Sequence, residues 1–114
     1  MSNPFSLDKA AILENLGDDE ELFVEMARMF IEESANYRQN LMAALTSGKP
    51  EAVRGEAHTL KSLLATFADD EGNVLAVAVE LQAKNGQIDT EKVGQLDARI
   101  KLMAEVLCQE LEKR

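Results

Sequence analysis

The 114-residue chain has one cysteine, one histidine, two prolines, no tryptophan, and only one tyrosine and four phenylalanines. Each scarcity excludes something. A lone cysteine, Cys108, rules out an internal disulfide and reads as a reduced thiol on a helix near the C-terminus. No apolar run approaches the roughly 20 residues that cross a bilayer as a helix. β-branched and aromatic residues never alternate with polar ones for the length of a strand, so no sheet is expected. Metal sites need several His, Cys or carboxylate ligands, and one histidine cannot supply them. Asp69-Asp70-Glu71 reads better as a helix start. No glycine-rich phosphate loop and no nucleophile–base set is present, which leaves no triad or P-loop, and no enzyme is expected. Basic residues are also in deficit, 12 against 21 acidic ones, for a formal charge of −9. That balance repels nucleic acid and anionic membrane surfaces. The opening MSNPFSLDK has neither the basic nor the apolar region of a secretory leader, and the expected location is cytoplasmic.

What remains is helix. Apolar residues make up 46% of the chain, enough for a core without disulfide or metal. A short first helix is expected over Leu7–Leu16, capped by Ser6 and ended by Gly17. Asp18 and Glu21 have capping-box spacing for a long second helix. Its stripe is Phe23, Met26, Phe30, Tyr37, Leu41 and Ala44, and Ser47-Gly48 stops it. Pro50 suits the first turn of a third helix, whose stripe is Val53, Ala57, Leu60, Leu64 and Phe67. Asp69-Asp70 can cap a fourth, with Val74, Val77, Ala78 and Leu81 expected inward and Asn85-Gly86 at its end. Asp89 or Thr90 caps a fifth, where Val93, Leu96, Ile100, Met103 and Leu107 repeat almost as a heptad and Leu111 extends them. An open coiled coil would share that heptad, but several loops carry both a stop and a start signal. The expected fold is all-α, a single domain over residues 1–114. It is an antiparallel up-down-up-down four-helix bundle with a short extra helix at the N-terminus.

The histidine lies in EAHTLKSLLATFA, residues 56–68. At about 100° per residue, Leu60, Val53, Leu64 and Phe67 fall about 180–240° from His58, so the core stripe is on the far side of the helix. Arg54, Gly55, Lys61, Ser62 and Ala65 share the histidine's face. No large apolar residue lies there, and Gly55 costs up to about 1 kcal/mol of helix propensity relative to Ala. Such an open face suits a partner that docks closely. Lys61, at i+3, is a side-chain neighbour of His58, and its ammonium would stabilise a dianionic phosphoryl group. The segment is also locally neutral: Glu51 and Glu56 are matched by Arg54 and Lys61.

Ala57-His58-Thr59-Leu60-Lys61-Ser62, then Ala65, and Val79-Glu80 one helix later, resemble the motif of the histidine-containing phosphotransfer (HPt) domain of two-component phosphorelays. Lys84 follows where that family often has a basic residue. The sequence departs from the family pattern at Ser62, where Gly is usual, at Ala68, where a second Gly is common, and at Gly72, where Leu is common. The resemblance implies that His58 takes a phosphoryl group from a receiver-domain aspartyl phosphate through Nε2 and passes it to another receiver aspartate. It implies Lys61 as phosphoryl stabiliser, Ser62 as a small residue that keeps the face open, and Glu80 as an orienter of the imidazole. An i,i+4 pair with Lys84 is the other reading of Glu80. Arg54, Gly55, Leu63 and Ala65 become candidates for partner contact, with Leu63 equally suited to the core. No cofactor of its own is implied, and Mg²⁺ would come with the receiver. The expected partners are receiver domains of a hybrid sensor kinase and of a response regulator, and a monomer suffices. The competing reading is a non-phosphorylated helical adaptor that binds a receiver or another helical protein.

Overall fold

The computed structural model describes residues 7–113. Five α-helices follow one another: α1 (Lys9–Asn15), α2 (Glu20–Ser47), α3 (Pro50–Thr66), α4 (Asp70–Lys84) and α5 (Thr90–Glu112). The described residues contain no strand. Contacts run between chain neighbours α2/α3, α3/α4 and α4/α5, and α2/α5 closes the ring. Loops of two, three and five residues join these four helices, the connection lengths of antiparallel neighbours. The shorter α1 packs on α2.

Aspartates start four of the helices. Asp8, Asp19, Asp69 and Asp89 each accept a hydrogen bond from the backbone N–H three residues on, at 3.0–3.1 Å, which satisfies a donor that the helix leaves orphaned. α3 has no side-chain cap and begins with Pro50 in its first turn, where the missing N–H costs nothing. Two boundaries differ from the sequence expectation. α1 starts after Asp8, and the expected cap Ser6 lies outside the described residues. The cap of α2 is Asp19 rather than Asp18. Asp18 has a left-handed φ of 61°, and its N–H bonds Leu13 O at 2.7 Å. It is thus used up in closing α1, and the extended backbone that a cap needs falls one residue later, at Asp19.

The core takes Phe23, Phe30, Leu41 and Ala44 from α2, and Val53, Ala57, Leu60 and Leu64 from α3. From α5 it takes Val93, Leu96, Ile100, Met103 and Leu107. Phe67, just past α3, sets its ring edge-on to Phe30 at 5.3 Å. Met26, Tyr37, Leu63 and Leu111 are half-buried against this cluster.

α4 overturns the expected inward face. Val74, Val77 and Leu81 are exposed, and Ala78 is half-buried. The buried residues are Gly72, Ala76, Val79 and Ala83. Both sets have helical spacing, so periodicity alone does not choose between them. The small set wins because it lets α4 approach α3 closely, and α3/α4 is the most extensive contact in the bundle.

The turn from α3 to α4 holds together despite the departures there. Asp69 N–H bonds Leu64 O at 2.9 Å and Ala68 N–H bonds Ala65 O at 3.0 Å, the two bonds of a Schellman end. Ala68 takes the left-handed position at φ 57°. Asp69 is almost fully buried and receives both Arg99 Nε (2.7 Å) and Nη2 (2.6 Å) from α5. A Cβ at Gly72 would collide with the Asp69 carboxylate and crowd Arg99 Cγ, which accounts for glycine there.

Candidate functional site

α3 turns its core stripe inward, and this rotation puts His58 outside, with 65% of its side chain exposed. The imidazole leans toward the seam with α4, where Glu80 meets it: Nδ1 lies 2.8 Å from Oε2. An ionised carboxylate can only accept, so Nδ1 is the donor; in the neutral ring this leaves the lone pair on Nε2, directed away from the bond. The other oxygen of Glu80 accepts from Lys61 Nζ at 2.7 Å. The hydrogen bond from Lys61 foremost, with that from His58 behind it, holds the Glu80 carboxyl below the usual carboxylate range, against the opposing effect of its burial.

Glu80 therefore joins two residues of α3 across the helix seam. Its two oxygens go to His58 and Lys61 rather than to an i,i+4 pair with Lys84. The Lys61 ammonium is not loose above the ring; it is anchored by a carboxylate that the histidine shares. Asn73, two turns before Glu80 on the same face of α4, donates from Nδ2 to Lys61 O at 3.0 Å. It was not singled out from the sequence, although its i,i+7 spacing to Glu80 was readable. The Arg99–Asp69 pair was also missed, since nothing in the sequence links residues 30 apart on different helices.

The remaining candidates surround the histidine unevenly. Arg54, Gly55, Ser62 and Ala65 are exposed and Leu63 is half-buried. A Cβ at Gly55 would meet no atom within 4 Å, so packing does not demand the glycine. Asn15, at the end of α1, donates from Nδ2 to the carbonyls of Ala65 (3.3 Å) and Thr66 (3.2 Å), tying α1 to the end of α3, about two turns from His58. Among the described residues, no group of three or more His, Cys, Asp or Glu side chains could hold a metal ion. No helix there is long and apolar enough to cross a membrane.

The structure is thus an all-helical ring with one open imidazole on its surface, held at Nδ1 by a carboxylate. The family model of the Hpt domain matches residues 25–112, and the chain belongs to the Hpt domain family. It is a histidine phosphotransfer intermediate of a phosphorelay, a class that works with receiver domains. The crystal structure of histidine-containing phosphotransfer protein B (HptB) from Pseudomonas aeruginosa PAO1 is similar in fold, with a TM-score of 0.84 over 99% of both chains at 20% identity. Comparison with curated proteins gives no match.

Proposed function

We propose that His58 is the phosphoacceptor, loaded by a receiver domain of a hybrid sensor kinase and unloaded by that of a response regulator. The observation that carries the reading is the Nδ1–Glu80 bond at 2.8 Å on a ring still mostly open to solvent. In the forward step the Nε2 lone pair attacks the phosphorus of an aspartyl phosphate. The N–P bond forms, the acyl P–O bond breaks, and the aspartate carboxylate leaves with the electron pair. The ring becomes cationic with its proton retained on Nδ1, and Glu80 balances that charge. Discharge to a second aspartate is the same exchange in reverse. Lys61 has three N–H donors and spends one on Glu80, so others remain for phosphoryl oxygens.

Catalysis of this kind is positioning plus charge stabilisation. Ser62 and Gly55 leave room for the receiver to bring its aspartate in line, and Arg54, Leu63 and Ala65 border the contact. Mg²⁺ supplied by the receiver would neutralise charge on the phosphoryl group. This chain acts as a cytoplasmic, monomeric carrier without a cofactor of its own.

The test is incubation with receiver domains bearing ³²P-aspartyl phosphate. Acid-labile, base-stable label is expected on the wild-type chain and none on His58→Gln. Label that persists in His58→Gln, or a wild type that binds receivers without ever taking label, overturns the reading; the latter result describes an adaptor.

A further inference from the structure

The residues that α4 buries are Gly72, Ala76, Val79 and Ala83. Apolar burial has no direction, and small side chains offer only shallow ridges to a neighbour's grooves. Such a face draws two helices together without saying where along α3 a given residue of α4 comes to rest. Glu80 needs a closer placement than that. Its bonds to His58 Nδ1 and Lys61 Nζ are 2.8 and 2.7 Å long. Bonds of this kind fade beyond about 3.2 Å, which leaves a slack of about 0.5 Å. One residue of slip is about 1.5 Å and turns a side chain by about 100°. The turn at Asp69 is clasped by Arg99, but it lies about 16 Å along the axis from Glu80. Over that length a tilt of about 2° already uses up the slack.

Asn73 is a tie between the two. Among the described residues it makes the one side-chain hydrogen bond across the α3/α4 seam that does not involve Glu80: Nδ2 donates to Lys61 O at 3.0 Å. A backbone carbonyl has two lone pairs, so it can accept this bond beside the one from its own helix. Nothing local calls for asparagine here. The cap of α4 is already Asp69, on the Gly72 N–H, and asparagine is a poor helix former. Asn73 and Glu80 are two turns apart on one line of α4. Lys61 is therefore held by α4 at both ends, its carbonyl by Asn73 and its ammonium by Glu80.

We infer that Asn73 is a positioning residue of the phosphotransfer site. Anchored on the Lys61 carbonyl, it fixes where α4 rests on α3, and so keeps the Glu80 carboxylate on His58 Nδ1 and the lone pair on Nε2. It acts through Glu80 rather than on the imidazole. This role rests on His58 as the acceptor. With the tie cut, the neutral ring also samples the tautomer protonated at Nε2, which has no lone pair to offer there.

Asn73→Ala tests this, since it removes the donor and installs a good helix former. Its circular dichroism should match wild type. Asn73→Asp, the same size but without a donor, is read in the same way. In ¹⁵N NMR in alkaline buffer, where imidazole is neutral, wild-type His58 should show one tautomer, protonated at Nδ1, and the variants a mixture. In rapid-quench transfer from a receiver bearing ³²P-aspartyl phosphate, the rate at saturating receiver should fall about tenfold, as small misplacements cause. The half-saturating concentration should stay within about twofold, because binding is untouched. Adding Asn73→Ala to Glu80→Ala should change neither readout further. An unchanged tautomer ratio, an unchanged saturated rate, or an equal loss in the Glu80→Ala background each overturns the inference alone. Wild-type protein that takes no label overturns the acceptor reading and this inference with it.

Discussion

α3 and α4 lie side by side, yet they distribute their side chains in opposite ways. α3 sends Val53, Leu60 and Leu64 inward and shows glycine, serine and alanine around His58. α4 sends Gly72, Ala76, Ala83 and a single larger residue, Val79, inward and shows Val74, Val77 and Leu81. The two arrangements are complementary. Small residues inside α4 bring its backbone close to α3, and the short carboxylate arm of Glu80 can then reach both His58 and Lys61. Large residues inside α3 hold its rotation fixed, so the imidazole stays outside. A helix's apolar stripe marks its core side only when the neighbour across the seam leaves room for it.

The contrast can be broken most severely from within. Leu64→Ala should cost about 2–5 kcal/mol of stability in chemical denaturation, as truncation of a fully buried leucine does. Leu81→Ala, the same change on the outward face of α4, should move stability by less than about 0.5 kcal/mol. Comparable losses at both positions would show that this face of α4 is core after all. Next in size is Gly72→Ala. The new methyl meets the Asp69 carboxylate, and overpacking of this kind costs about 1–3 kcal/mol. Urea midpoints of the two proteins check it.

A smaller effect of opposite sign is expected in the turn between the helices. Ala68 holds a left-handed backbone that costs a non-glycine residue about 1–2 kcal/mol. Glycine there also loosens the unfolded chain, so Ala68→Gly should stabilise by up to about 1 kcal/mol, read as a rise in Tm. The least change is the pH dependence of the seam. Glu80 is held below the usual carboxylate range in the folded state. Its contribution is therefore present above the unfolded value and is lost as pH falls from there through the lowered folded value. The stability gap between wild type and Glu80→Gln should be constant near neutrality and close in that acidic window. A gap that widens on acidification would reverse the sign of the coupling.

Much of this was legible in the chain. The stripes of α2, α3 and α5 are read directly from spacing, because most of their large apolar residues fall on one side; on α2 only the exposed Met29 and Met42 depart from it. The outward placement of His58 follows from the same geometry, and Glu80 follows from the family resemblance. α4 was misread because it carries two periodic apolar sets, one large and one small, and hydrophobicity favours the large. Choosing the small one requires knowing how closely α3 approaches. The Asp18 cap failed for a related reason: the end of one helix and the start of the next competed for the same residue. The Arg99–Asp69 pair depends on where α5 lies against the α3–α4 turn, which spacing along one helix does not encode.

Asp69 does three jobs at one position. Its N–H finishes α3, its carboxylate starts α4, and the same carboxylate is gripped by Arg99 of α5. The bend that joins the two halves of the phosphate-carrying seam is thus clasped from outside by a third helix. Prising α3 from α4 at that end means letting go of α5 as well. The distance between His58 and Glu80 is consequently a property of the whole bundle rather than of one hairpin, and the cradle around the imidazole should soften only as the molecule unfolds.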